Sequence, residues 1–237
     1  TIHSVPLYGS RITPYTDGAS KMEALLAEIA RAKHHVHIQY YIFCDDRTGC
    51  RLRDALVAKA REGVMVRILY DDVGCSGVKK AFFEGMRREG IEVFSFLHVK
   101  FPLFTSKVNY RNHRKIAIVD GRVGFIGGMN IADRYVRGTE WGSWRDTHFR
   151  IEGNGAAGLQ ASFLSDWSAT TKQNIYAAAY YPAAERYTND ILQIVPSGPF
   201  GKWRALLQAD SYAVSNAQKR IWIQTPYYLP SDVLNSS

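Results

Sequence analysis

Cysteine is scarce in this chain: Cys44, Cys50 and Cys75 are its three, and no two of them form a C-x-x-C pair. So few, so irregularly spaced, they exclude a disulfide framework and favour a reducing compartment. Long apolar runs are missing as well, and no charged-then-apolar leader opens the chain, so the expectation is a soluble or peripheral protein. Acidic residues are in deficit, 22 against 30 Lys and Arg, which leaves a net charge of +8. That excess favours an anionic partner, whether nucleic acid, acidic lipid headgroups or a phosphorylated substrate, and charge does not choose among them. What is plentiful is core material: 46% of the 237 residues are hydrophobic and 13% aromatic, enough for one large or two small globular domains.

Helical and strand periods alternate along the chain. Lys21 to Lys33 has apolar residues at Met22, Leu25, Leu26 and Ile29, with Ser20 as expected N-cap and Glu23 as its capping-box partner. Leu52, Leu56, Val57 and Ala60 mark a second helix ended by Gly63, and Val78–Arg88 and Ala156–Thr171 predict two more. Strands are expected at Val36–Phe43, Val64–Tyr70, Ile91–Phe96, Ile116–Val119, Val123–Ile126 and Trp144–Ile151. The alternation predicts an α-β-α sandwich around a mixed, largely parallel central sheet.

Chemistry concentrates in Tyr110-Arg111-Asn112-His113-Arg114-Lys115, which runs into the apolar Ile116–Val119, the turn Asp120-Gly121, and then Gly127-Gly128-Met129-Asn130. Extended backbone alternates faces, so His113 and Lys115 point the same way. An imidazole beside an ammonium, with a Gly pair and an Asn amide returning on the next strand, suits attack on a phosphodiester and neutralisation of its non-bridging oxygens. His113 is the expected nucleophile, and Lys115 and Asn130 the oxygen ligands. Gly127 and Gly128 would let the phosphate approach the backbone. Asp120 falls on the opposite parity and reads by physics as a turn residue. His34, His35 and His37 lie at a helix-to-strand junction that splits them between faces, with no further ligand at a familiar interval, so no metal is expected.

These same residues, H-x-K-x4-D-x6-G-G-x-N from His113 through Asp120 to Asn130, resemble the signature of the phospholipase D superfamily. With Asn112-His113-Arg114-Lys115-Ile116, Gly124–Ile131 and Trp144-Arg145-Asp146-Thr147-His148, the chain is similar to bacterial cardiolipin synthases from about Tyr15 to Pro230. The resemblance implies a phospholipase D-like fold and a phosphatidyltransferase that joins two phosphatidylglycerols into cardiolipin and glycerol through a phosphohistidine, without cofactor or metal. It includes Asp120 among the catalytic residues, places Asn112 beside the substrate, and gives Asp146 the task of hydrogen-bonding a catalytic imidazole. It implies an anionic phospholipid substrate at the bacterial cytoplasmic membrane rather than nucleic acid, and a longer parent whose membrane helices precede this segment. The basic, aromatic segment from His98 to Arg111, with Phe101 and Phe104, reads either as a membrane contact or as a core-packed loop.

A long-period repeat completes the reading. Ala24-Leu25-Leu26 followed by Val36–Ile42 recurs as Ala205-Leu206-Leu207 followed by Ile221–Leu229. Residues 1–190 are expected to form one complete repeat with the catalytic motif and 191–237 the beginning of a second. The sequence holds no second full H-x-K-x4-D motif, whose histidine the superfamily uses as general acid: His98, in the triplet His98-Val99-Lys100, and His148 both lack its context. Activity then requires either the missing half or a homodimer that supplies one motif from each copy. Two rivals stay open: a dimeric single-motif nuclease, and a non-catalytic module that binds anionic phosphates.

Overall fold

The computed structural model describes residues 4–96, 111–198 and 205–225. The chain divides into two compact units, Pro6–Ile194 and a second made of Thr1–Val5 with Val195–Ser237. In the first unit the elements follow in the order β1 (Leu7–Tyr8), β2 (Arg11–Tyr15), α1 (Gly18–Arg31), β3 (His35–Tyr40), α2 (Arg47–Arg61), β4 (Met65–Asp71), α3 (Lys80–Arg88) and β5 (Glu92–Phe96). Then come β6 (Ile116–Val119), β7 (Val123–Gly127), α4 (Asp133–Arg137), β8 (His148–Glu152), α5 (Asn154–Thr171) and β9 (Ile191–Leu192). The second unit holds α6 (Ala205–Ser215).

Seven strands form one sheet in the order β2-β8-β7-β6-β3-β4-β5. The expected mixed sheet in an α/β fold is present, with a smaller parallel share than expected. Only β3–β4 and β4–β5 pair in parallel, across the helical crossovers α2 and α3. The β3–β6, β6–β7, β7–β8 and β8–β2 pairings are antiparallel. Asp120 and Gly121 both take positive φ, 52° and 65°, as a tight primed turn between β6 and β7 requires.

Alternation along the strands divides the core. Val36, Ile38, Val66, Ile68, Ala117, Val119 and Phe125 meet Leu25 and Ile29 of α1, Leu56 of α2 and Phe83 of α3. Ile116, Ile118, Leu69 and Ile151 meet Leu159, Phe163 and Trp167 of α5 on the other side. Each such side chain withdrawn from water contributes about 1.5–3 kcal/mol, so the sandwich is held mainly by these two layers.

Helix α1 begins earlier than its apolar period suggests. Asp17, not Ser20, is the N-cap: its Oδ1 accepts from the Ser20 amide at 2.8 Å, and Glu23 pairs instead with Arg51 at 2.8 Å. An extended carboxylate three residues upstream supplies the cap that Ser20 would otherwise provide. Strand β8 starts at His148 rather than Trp144, leaving Asp146 in the approach to the strand. His35 and His37 share one face of β3, where both engage Gln160 of α5, at 3.0 Å and 2.9 Å. Burial drives the His35 imidazole down to about 4, so it is neutral at pH 7. Among the described residues no His, Cys, Asp and Glu group is arranged to hold a metal, and no helix is long and apolar enough to cross a membrane.

Candidate active site

One end of the sheet gathers the polar chemistry. The carboxyl ends of β3, β4 and β7 meet the starts of β6 and β8 there, because β6 runs back against β3 with Gln39 opposite Ile116 and Gly127 lies opposite His148. The crevice beyond the carboxyl ends of parallel strands is where open α/β sheets bind ligands. Tyr41, Asp71, His113, Lys115, Gly128 and Asp146 all fall at this end.

His113 and Lys115 precede β6 rather than lying within it. The His113 ring is exposed and stacks on Tyr41 with centroids 4.0 Å apart and planes 19° from parallel. Partial burial, and then the charge of Lys115, hold its pKa below the ordinary value, while Asp71 pulls the other way. The ring is therefore largely neutral at pH 7, with a lone pair available for attack. Lys115 donates to the His113 carbonyl at 2.6 Å and lies 5.5 Å from the Tyr41 ring centre. Burial lowers its pKa to about 8 against the opposing charge of Asp146, so it remains mostly protonated at pH 7.

The two glycines make room for protein groups. A Cβ on Gly128 would run into the Asp146 carboxylate, and one on Gly127 would meet the backbone and ring of His148. Their missing side chains thus let Asp146 and His148 close against β7. Asp146 accepts from the Thr147 amide at 2.6 Å and acts electrostatically on Lys115. Among the described residues its hydrogen bond goes there, and no imidazole is paired with it.

Asn130 and Asn112 turn inward. The Asn130 carbonyl accepts from the Ile42 amide at 3.0 Å and its amide donates to the Tyr135 hydroxyl at 2.7 Å, so this buried side chain ties the segment after β3 to α4. Asn112 is buried too and donates to Asp166 of α5 at 2.7 Å. Asp120 sits at the far end of β6. Its carboxylate accepts from the backbone amides of Lys33, His34 and His35 at 2.8–2.9 Å, which ties the β6–β7 turn to the start of β3.

Tyr41, Asp71 and Lys21 carry no sequence signal for a place here, and His148 is the histidine that lacks the context of a second motif. Tyr41 is the platform for His113, and Asp71 is a buried carboxylate at the end of β4 that caps the following turn through the Val73 and Gly74 amides. Lys21 of α1 is fully buried with its ammonium on the Tyr40 hydroxyl at 2.9 Å, and burial brings its pKa to about 7. His148 is equally buried, both ring nitrogens lack a hydrogen-bond partner among the described residues, and burial drives its pKa to about 2. A lysine in an amphipathic helix carries no sequence signal that it faces the core. The segment from Lys100 to Lys107 with Phe101 and Phe104 lies outside the described residues.

Comparison with known proteins follows the same lines. The family described as "Cardiolipin synthase, PLD-like domain" matches residues 25–167. Cardiolipin synthase 2 of Bacillus anthracis is 40% identical over 94% of this chain and 44% of its own length. The major cardiolipin synthase ClsA of Bacillus subtilis is 39% identical over 96% of this chain and 48% of its own. A Listeria innocua cardiolipin synthase reaches 42% over 91% of the chain and 45% of its own. The chain thus spans less than half the length of these curated relatives. Among solved structures, phosphatidylserine synthase of Haemophilus influenzae is similar in fold (TM-score 0.55, 17% identity, 69% of this chain and 38% of that one). NucT of Helicobacter pylori is similar too (TM-score 0.53, 16% identity, 68% of this chain and 98% of that one). With that fold, the H-x-K segment at the carboxyl end of its sheet, and relatives at about 40% identity along nearly all of its length, the chain belongs to the phospholipase D-like cardiolipin synthase family.

Proposed function

We propose that this chain carries one catalytic half of a phosphatidyltransferase that makes cardiolipin from phosphatidylglycerol. The observation that carries the reading is the exposed, neutral His113 ring held on Tyr41 beside a partly buried ammonium. A ring nitrogen of His113 attacks the phosphorus of one phosphatidylglycerol. The bond to the headgroup glycerol breaks, and the departing oxygen takes a proton from a general acid outside the described site. The phosphatidyl group then rests on His113 until the hydroxyl of a second phosphatidylglycerol, giving its proton back to the group that served as acid, displaces it to form cardiolipin and restore the ring. Lys115 offsets the charge that builds on the non-bridging oxygens, and the charge of Asp146 favours its protonated form.

The general acid is the histidine of a second motif. Residues 191–237 are read as the opening of that second repeat, with a homodimer as the other way to bring two motifs together. Anionic lipid at the bacterial cytoplasmic membrane is the proposed partner. It is supported by the exposed Trp141 and Trp144, which lie beside Arg137 and Arg145 in the segment leading to Asp146.

The test is to incubate the purified chain with phosphatidylglycerol liposomes and follow glycerol, cardiolipin and an acid-labile phosphatidyl adduct, beside His113→Ala and Lys115→Ala. The expected outcome is an adduct absent from His113→Ala and reduced at least tenfold in Lys115→Ala. An adduct that persists without His113 would remove the nucleophile. Cleavage of a DNA phosphodiester with no action on lipid would favour a single-motif nuclease.

A further inference from the structure

We infer that Asp166 of α5 is the positioning residue that sets the His113 backbone and ring, acting from the opposite face of the sheet. The inference rests on the reading of His113 as nucleophile. A single carboxylate oxygen, Asp166 Oδ2, accepts from Gln39 Nε2 of β3 at 2.6 Å, Asn112 Nδ2 at 2.7 Å and Arg114 Nη1 at 2.5 Å. Asp166 and Asn112 are both buried, as is Gln39. Three donors converging on one buried, charged oxygen form a rigid joint, since each bond is charge-assisted and short.

The joint acts on His113 through chain geometry. Asn112 spends its amide on Asp166 and its carbonyl on the Arg114 amide at 3.0 Å, an Asx turn in which His113 is the central residue. The contacts alternate along this segment: Asn112 and Arg114 reach Asp166, while His113 and Lys115 lie at the Tyr41 ring. Gripping Asn112 and Arg114 from the α5 side therefore presents His113 and Lys115 to the other side, where His113 meets Tyr41 and Lys115 closes on the His113 carbonyl. Gln39 ties the joint to the sheet, because it lies opposite Ile116, the first residue of β6. Among the described residues no hydrogen bond or ion pair joins Asp166 to His113 or Lys115; it fixes the backbone between its two handles.

This role predicts an effect on His113 that a general packing role would not produce. In the full chain, the His113 ring resonances should lie upfield because of the stacked Tyr41 ring, and the ring should titrate below its ordinary value. Asp166→Asn should move those resonances downfield and raise the midpoint toward 6.5, the ordinary value, while backbone amide shifts of β4 and β5 stay in place. Asn112→Ala removes the other side of the same joint, should give the same two changes, and serves if Asp166→Asn does not fold. His113 resonances and titration unchanged from wild type in the folded variants would overturn the inference. Orthovanadate added to the wild-type chain separates this from the functional reading. If vanadate leaves His113 and Lys115 unperturbed, the nucleophile assignment fails, whereas the titration comparison still decides whether Asp166 positions the ring.

Discussion

Two stretches of this chain share a pattern and differ in fate. Val36-His37-Ile38-Gln39 lies in β3, where every residue is buried, whereas each residue of Ile221-Trp222-Ile223-Gln224 is exposed and outside any strand. The helices ahead of them differ in the same way: α1 buries Met22, Leu25 and Ile29, while α6, which carries the matching Ala-Leu-Leu, buries no residue. What separates the copies is neighbours. β3 is flanked by β4 and β6, so its amides and carbonyls have partners and both of its faces are covered. A β pattern is a conditional instruction, fulfilled only where another strand satisfies the backbone.

The largest expected break in this comparison comes from matched truncations. Ile38→Ala should cost about 3 kcal/mol, the usual range for emptying a fully buried site, and Ile223→Ala should fall within about 0.5 kcal/mol of wild type. Urea unfolding of both variants reads the difference, and equal losses would show that the second copy is packed after all.

A subtler contrast concerns Lys21, which aligns with Lys202 when Lys21-Met22-Glu23-Ala24 is set against Lys202-Trp203-Arg204-Ala205. In the folded chain Lys21 releases its proton near pH 7, against 10.5 ordinarily. Between those values the unfolded chain binds the extra proton, so stability rises with pH across that window by up to about 1.4 kcal/mol per unit. Below pH 7 both states are protonated and the burial cost is felt in full. Lys21→Met should therefore be stabilising at pH 6, with the advantage shrinking by pH 9.5, as unfolding curves at both values would reveal.

The smallest effect is at the cap of α1. Asp17→Ala should lower stability by about 1 kcal/mol, with the loss visible as a modest drop in melting temperature. No change would return the cap to Ser20.

Much of this was legible along the chain because it depends on local order. The apolar run Ile116–Val119 and the Asp120-Gly121 turn specify their hairpin in consecutive residues, and the H-x-K spacing puts His113 and Lys115 on one side of an extended segment. Asp120 could be assigned to the turn by parity alone, although its hold on the amides of residues 33–35 could not. Asn130, Asn112 and the glycine pair were harder, since an amide or a missing Cβ can serve a substrate or the protein itself. Only the packing of Tyr135, Asp166, Asp146 and His148 around them shows which partner each meets.

By itself the sequence determined the periodicities, the tight turn, the basic charge and the reactive pair, because each is written in neighbouring residues or in their sum. Tertiary structure alone decided that Tyr41 lies under His113, that Asp166 grips its flanks from across the sheet, that Lys21 is buried without a carboxylate partner among the described residues, and that Val36–Gln39 is buried while the similar Ile221–Gln224 is exposed. Those outcomes join residues far apart in the chain, and burial and pairing between such residues exist only once the strands have chosen their neighbours.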